Sequence, residues 1–316
     1  MKSILEIRNL EKSFKGKKAL DGISFQIFEG ELLCLLGPNG AGKSTVINIL
    51  STALGYDGGE IYFDGKRIGK NNSRSSNFLK ENMGIVPQDL AIYEELSAEA
   101  NIRFFASLYG LKGGLLKQRV EEALEFAGLK DKRKDKVKTF SGGMKRRLNI
   151  ACAITHKPRL IIMDEPTVGI DPQSRNHIQE SIVKLRKNGA TILYTTHYME
   201  EVEEISTRIL IMDHGRLIAE GTNEQLKESL QNEKIYSMGL QEVKHFQKEE
   251  FYRIEGVKNV ELEENKLKIT TMKGVENLDR LIAFAVERGL RINNLVCEEA
   301  SLETVFLKLT GRSLRD

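Results

Sequence analysis

The chain has 316 residues, 40% hydrophobic and 29% charged, with 48 Lys and Arg against 45 Asp and Glu for a net charge of +3. That length accommodates two domains, or one large domain with an appendage. The composition is that of an ordinary globular protein, and so small and dispersed a charge does not argue for nucleic acid as a partner.

Residues 5–29 predict strands. Ile4, Leu5, Glu6 and Ile7 partly alternate, Lys15, Gly16 and Lys17 form a turn, and 23–27 alternates again. Phe14 has two readings at this point: stacking on a nucleobase, worth about 1–3 kcal/mol, or core packing. Next comes the apolar run 31–36, of buried-strand type. It leads into Gly37, Pro38, Asn39, Gly40, Ala41, Gly42, Lys43, Ser44 and Thr45, which satisfy the phosphate-loop pattern G-x-x-x-x-G-K-[ST]. Glycines let successive backbone N–H groups point into one concavity that suits a polyanion. The helix that follows adds about half an elementary charge at its N-terminus. Lys43 is placed to bridge β- and γ-phosphates, and the Ser44 hydroxyl to ligate Mg²⁺.

Asp64 and Gly65 signal a hairpin within 59–68. Residues 71–77 are polar and predict a loop, and 83–88 a short strand ending at Gln88. Residues 95–136 predict helix, with Val120, Ala123, Leu124 and Ala127 at helical spacing and Gly128 closing that segment. The basic run 130–136 reads as a solvated loop rather than a phosphate patch.

Phe140, Ser141, Gly142, Gly143 and Met144 then open a helix continued by Leu148, Ala151, Cys152 and Thr155 and stopped at Pro158. Ser141 as cap and two glycines make a second phosphate-ready N-terminus, or a capped helix start with no ligand. One chain has one γ-phosphate site, so a head-to-tail pair of subunits would let the second terminus cover the neighbour's nucleotide.

Leu160, Ile161, Ile162 and Met163 form a continuous apolar run, the kind buried on both faces of a parallel sheet. It ends in Asp164 and Glu165. In open α/β sheets ligands bind off the carboxyl ends of strands. Asp164 there suits Mg²⁺, which takes one or two carboxylates plus substrate phosphates. Glu165 is either the group that polarises an attacking water or a supporting carboxylate. A helix over 172–186 and a strand over 191–196 follow, the strand ending at His197. Residues 208–219 predict a closing hairpin around His214 and Gly215.

Past Gly221 the texture changes. A polar, helical linker spans 223–232. Beyond it are a strand near Ile235, a helix near Phe246, a hairpin around Glu264 and Asn265, a helix marked by Leu278, Leu281, Ile282 and Ala285, a strand over 292–296, and a last helix marked by Leu302, Val305, Phe306 and Leu309. The order β-α-β-β-α-β plus a helix is a ferredoxin-like arrangement. Cys34, Cys152 and Cys297 stand far apart without a C-x-x-C pair, which suggests neither disulfides nor zinc and fits a reducing cytoplasm. No signal peptide is visible, and no apolar run nears the roughly 20 residues that span a bilayer.

Over residues 1–222 the chain resembles the ATP-binding subunit of an ABC transporter, with the motifs in that family's order. The resemblance implies an α/β P-loop ABC ATPase domain, a mixed sheet with a helical signature subdomain, joined by the 223–232 linker to an α+β ferredoxin-like accessory domain over 233–316. It implies ATP and Mg²⁺ as cofactors. By position, Phe14 is implied as the base-stacking aromatic, Gln88 as the glutamine touching metal and attacking water, and Ser141, Gly142 and Gly143 as the signature core. Asp164 is implied as the metal-side aspartate, Glu165 as the catalytic base, Asp171 as the D-loop aspartate, and His197 as the γ-phosphate sensor. Phe140 and Met144 depart from the family's usual Leu and Gln, and Gly169 from its Ala, while the Ser-Gly-Gly core is intact.

The tail, from Ser301 to Leu307 and again from Thr310 to Asp316, resembles that of bacterial drug and antibiotic exporters of the daunorubicin-resistance kind. This implies a homodimer on the cytoplasmic face of a bacterial membrane, docked on a separately encoded permease. A groove lined by Ile92, Tyr93, Leu96 and Ile102 is expected to receive that permease's helix. An importer ATPase with a metabolite-sensing tail is the alternative. A soluble ABC protein is disfavoured by the lack of an internal repeat or sustained heptads.

Overall fold

A computed structural model describes residues 2–69, 73–229, 233–241, 248–298 and 301–310. The chain divides into two compact units, one built on Met1–Asn223 and the other on Glu224–Ser313.

In the first unit, β1 (Ser3–Phe14) and β2 (Lys17–Phe28) pair antiparallel, and β4 (Gly58–Phe63) and β5 (Lys66–Arg67) extend them into a sheet of order β2-β1-β4-β5. The second sheet contains β3 (Leu32–Leu36), β6 (Met83–Val86), β7 (Leu160–Asp164), β8 (Thr191–Thr196), β9 (Arg208–Asp213) and β10 (Arg216–Gly221) in the order β10-β9-β3-β8-β7-β6. Its pairings from β9 to β6 are parallel and β10 is antiparallel. All five residues of β3 and all six of β8 are buried, as strands covered on both faces must be. Helix α1 (Lys43–Leu50) packs between the sheets through Val46, Ile47, Ile49 and Leu50.

The loop expected over 71–77 is not what forms. Ser73–Glu81 is helix α2, with residues 71 and 72 outside the described set. Its Ser- and Asn-rich start is overridden by packing: Leu79 is buried and the Phe78 ring meets Phe63 edge-on at 5.9 Å. The long helical region divides into α3 (Ala98–Leu108) and α4 (Gly113–Ala127), because Gly110 and Gly113 turn the chain at positive φ. With α5 (Gly142–Ile154) they enclose a core of their own around Ile102, Leu124 and Leu148. The basic run 130–136 begins as a short 3-10 turn, with Arg133 paired to Glu99 and Glu121 and Lys136 to Glu95. The remaining helices are α6 (Pro172–Lys187) and α7 (Met199–Ile205), the latter unforeseen in the sequence.

The second unit starts with α8 (Asn223–Ser229). It contains β11 (Glu233–Leu240), β12 (Val257–Glu263), β13 (Lys266–Met272), α9 (Leu278–Glu287), β14 (Ile292–Glu298) and α10 (Leu302–Thr310). The sheet is antiparallel throughout, in the order β12-β13-β11-β14. Its core holds Met238, Phe251, Ile269 and Leu281. The helix expected near Phe246 lies outside the described residues, and a 3-10 segment, Lys248–Arg253, follows it. Among the described residues no helix is long and apolar enough to cross a membrane.

Candidate functional site

Parallel strands β3, β7 and β8 end side by side, and the polar residues that follow them meet there. The loop after β3 turns through Gly40 at φ 80° and Gly42 at φ 111°. A Cβ on Gly42 would lie 2.7 Å from the Ala19 carbonyl oxygen, and one on Gly37 would lie 2.3 Å from that of Met212. Both positions therefore require glycine, Gly42 for conformation as well as space. Together with Ala19, Gln88 and Glu165, the loop residues Pro38, Asn39, Gly40, Gly42, Lys43, Ser44 and Thr45 line a cavity of about 220 Å³. Gly37 and the buried Ala41 shape the loop from behind.

Lys43 is 5% exposed. Its ammonium donates to the carbonyls of Gly37 (2.6 Å) and Pro38 (3.1 Å) and lies 3.7 Å from Glu165 Oε1. Burial pushes its pKa down, against the pull of Glu165 and Asp164. Glu165 is buried too, at φ 44°, a left-handed conformation costly for a residue with a Cβ. Its backbone N–H is held by Thr195 Oγ1 at 3.1 Å, and the same hydroxyl donates to Asp164 Oδ1 at 2.7 Å. Thr195 thus holds the Asp164 carboxylate and the Glu165 backbone together. Burial raises the Asp164 pKa, while Thr195, Lys43 and Ser44 oppose the rise. His197 Nδ1 lies 3.3 Å from Glu165 Oε2, at ion-pair distance but off hydrogen-bond alignment. Lys43, Glu165 and His197 therefore form a chain of contacts across the cavity mouth.

Asp164 beside the Ser44 hydroxyl is a hard-oxygen donor set of the size magnesium uses when phosphates complete its shell. Among the described residues no group of three or more His, Cys, Asp or Glu side chains could hold a metal unaided. The residues present fit Mg²⁺ as a companion of a phosphate ligand.

Other expected site residues lie apart from this cavity. Ser141 caps α5, its hydroxyl accepting from the Met144 N–H at 3.3 Å. Asp171 caps α6 by accepting from the Ser174 N–H at 2.9 Å. The two helix starts touch: a Cβ on Gly143 would lie 2.2 Å from Ser174 Oγ. Phe14 ends β1 with 47% exposure and Lys12 over its ring at 5.5 Å, which overturns the core-packing reading.

Sequence reasoning missed Thr195, although a Thr-Thr pair closing an otherwise apolar strand was a usable signal. It also missed the buried Glu201, which accepts from Tyr194 (2.9 Å) and Thr196 (3.0 Å) at the end of β8. Nothing in the periodicity distinguished Glu201 from its exposed acidic neighbours.

The family model described as "ABC transporter" matches residues 20–168. The chain is 43% identical to the linearmycin resistance ATP-binding protein LnrL of Bacillus subtilis over 99% of this chain and 100% of that one. It is 32% identical to the daunorubicin resistance ATP-binding protein DrrA3 of Streptomyces coeruleorubidus, over 98% and 97%. Among solved structures, cbiO1 of Clostridium perfringens, part of the cbiONQ transporter complex, superposes with a TM-score of 0.67 at 31% identity, over 72% of this chain and 92% of that one. A dimeric post-hydrolysis state of the cassette MJ0796 bound to ADP and Pi gives 0.63 at 26% identity, over 69% and 98%.

Proposed function

The chain belongs to the ABC transporter family as an ATP-binding, ATP-hydrolysing subunit, and from that premise we propose that it energises the export of a drug, antibiotic or lipid-like substrate. The observation that carries the catalytic part is the single cavity joining the phosphate loop to Gln88 and Glu165. The export direction is supported by full-length likeness to relatives named for resistance to linearmycin and daunorubicin.

In this reading Lys43 leaves its carbonyl partners for the β- and γ-phosphates. Ser44, Gln88 and Asp164 would hold Mg²⁺, which would neutralise charge on the phosphates. Glu165 accepts the proton of the attacking water, and His197 reports the γ-phosphate. Phe14, already exposed, stacks on the base. Ser141, Gly142 and Gly143 of one chain cover the nucleotide on a second copy, with Asp171 beside them, and ATP binding closes the pair.

The membrane path belongs to a separately encoded permease, which places this subunit on the cytoplasmic face. The permease would dock on the segment after Gln88, where Leu90, Tyr93 and Leu96 are 38–50% exposed. Ile102, expected in that groove, is fully buried and belongs to the helical core. The accessory domain is read as ferredoxin-like and separated near residue 223, supported by its antiparallel order β12-β13-β11-β14.

The test is co-purification from membranes of tagged Glu165→Gln chain, with and without ATP and Mg²⁺. The substitution spares nucleotide binding and slows hydrolysis, trapping the closed pair. An integral membrane protein recovered with the trapped dimer supports the reading. A dimer that brings down ribosomes or nucleic acid and no membrane protein refutes the transport assignment while leaving the ATPase chemistry standing.

A further inference from the structure

The basic triplet Lys145-Arg146-Arg147 lies in the first turns of the helix that opens at Ser141. Its middle member is 4% exposed. The Arg146 guanidinium reaches out of α5 and donates from Nη1 to the Pro87 carbonyl at 2.8 Å and from Nη2 to the Gln88 carbonyl at 2.5 Å. Two adjacent peptide carbonyls are thus held by one planar fork, a geometry a lysine ammonium cannot reproduce. Nε is buried with no hydrogen-bond partner, so the cation's coordination inside the protein comes from these two carbonyls.

The contact is the end of a longer seam. Two turns further along α5, the Ala153 carbonyl passes so close to β6 that a Cβ on Gly84 would lie 2.4 Å from it. Beyond Gln88, the Lys145 ammonium pairs with Glu94 at 2.6 Å. The Lys138 N–H donates to the Glu94 carbonyl at 2.9 Å, and the Val137 N–H to the Leu96 carbonyl at 3.0 Å. The segment from Pro87 to Leu96 is therefore laced onto the run from Val137 to Arg146. Arg146 is the tie nearest the Gln88 side chain, which lines the cavity.

We propose that Arg146 is a positioning residue that fixes the backbone of Gln88 to the helix opening at Ser141, so that Gln88 in one nucleotide site and the helix start offered to the neighbouring subunit move as one body. This rests on the roles given above to Gln88 and Ser141. A buried cation replaced by an apolar chain of similar length leaves two carbonyls without donors, and the loop becomes free to shift relative to α5. Phosphate binding by the loop 37–45 is untouched, because Arg146 makes no contact with it.

The experiment compares wild type, Arg146→Met, Arg146→Lys, Gln88→Ala and both double variants with Gln88→Ala in steady-state ATP hydrolysis by the purified chain. Equilibrium binding of a fluorescent ATP analogue is measured alongside, as a check on folding and on the phosphate loop. Arg146→Met is expected to keep nucleotide affinity within about 2-fold while kcat falls about 10-fold or more, and Arg146→Lys to recover part of that loss through one carbonyl. If Arg146 acts through Gln88, adding Gln88→Ala costs no more than about 2-fold beyond the slower single variant. Losses that multiply overturn the proposal, as does Arg146→Met at the wild-type rate while Gln88→Ala is slow. Gln88→Ala at the wild-type rate removes the role of Gln88 itself, and the proposal with it. Should Arg146→Met fail to bind nucleotide, the Arg146→Lys cycle separates coupled from multiplying losses in the same way.

Discussion

His156 makes stability fall in mild acid, and removing it should flatten that fall. The ring lies just beyond the end of α5, stacked on Tyr109 with centroids 3.5 Å apart and planes 4° from parallel. Nε2 sits 3.1 Å from the Met83 carbonyl at the start of β6, so it carries the proton in the neutral ring. Nδ1 is buried with no partner. Protonation would put a second N–H where nothing accepts it. Burial accordingly lowers the pKa from 6.5 to about 4, with the Met83 carbonyl opposing. The sign follows from linkage: between pH 6.5 and 4 the unfolded chain binds the proton and the folded chain does not, so stability is complete above 6.5 and declines as pH falls toward 4. A difference of 2.5 units (6.5 minus 4) corresponds to about 3.4 kcal/mol at most. Rather more than half of that, about 2 kcal/mol, is lost between pH 7.5 and 5. The ring is partly open to water, and screening reduces this to about 1 kcal/mol. For a unit of this size that is about 2–4 °C in Tm. The assay is thermal unfolding of wild type and His156→Phe at pH 7.5 and 5. Phe keeps the stack and cannot titrate. Its loss of the Met83 hydrogen bond shifts both pH values alike, so the difference in slope isolates the proton. Equal slopes in the two proteins would refute the argument.

Gly42→Ala places a Cβ 2.7 Å from both the Ala19 carbonyl oxygen and Met212 Cε at φ 111°. Its ATP affinity, measured by fluorescent-nucleotide titration, should fall by about 10-fold or more, with strain of about 1–3 kcal/mol appearing in urea unfolding. Tyr194→Phe removes the hydroxyl that donates to buried Glu201 and leaves that carboxylate only Thr196 as a side-chain hydroxyl donor. A loss of about 1.5–3 kcal/mol is expected in urea unfolding, with kcat changed less than stability. Asp164→Asn keeps the shape and the Thr195 contact but removes the charge beside Ser44. Half-maximal Mg²⁺ for hydrolysis should rise by about 10-fold or more while metal-free nucleotide binding persists.

What was legible in the sequence is what local backbone geometry dictates. The loop 37–45 announces itself because its glycines must take conformations or close approaches that a side chain forbids, and that need survives as fixed spacing. The strand ends at Asp164 and His197 were legible because fully buried parallel strands leave unbroken apolar runs that stop abruptly. Features set by distant contacts were hidden. Residues 71–77 looked like loop, yet 73–81 is helix, where Phe63 gives Phe78 a partner 5.9 Å away. Arg146 was not singled out among three consecutive bases, since nothing nearby in sequence announces that two carbonyls 58 and 59 residues earlier will hold it. Glu201 sat unmarked in an acidic helix for the same reason.

The contacts around Lys43 bear on when Glu165 can act. The buried ammonium lies 3.7 Å from one carboxylate oxygen of Glu165 and His197 Nδ1 lies 3.3 Å from the other, so each oxygen of the proposed base has a nitrogen neighbour. Triphosphate offers Lys43 a denser negative charge than Glu165 does. If the ammonium turned to it, as in the mechanism proposed above, one oxygen of Glu165 would be released toward the cavity lined by the loop 37–45. In the proposed mechanism substrate binding would thus uncover the base, while Thr195 holds the Glu165 backbone N–H and bonds Asp164. Glu165 holds its place in the cavity lining at φ 44°, directly after the end of β7, a left-handed conformation that costs about 1–3 kcal/mol for a residue with a Cβ.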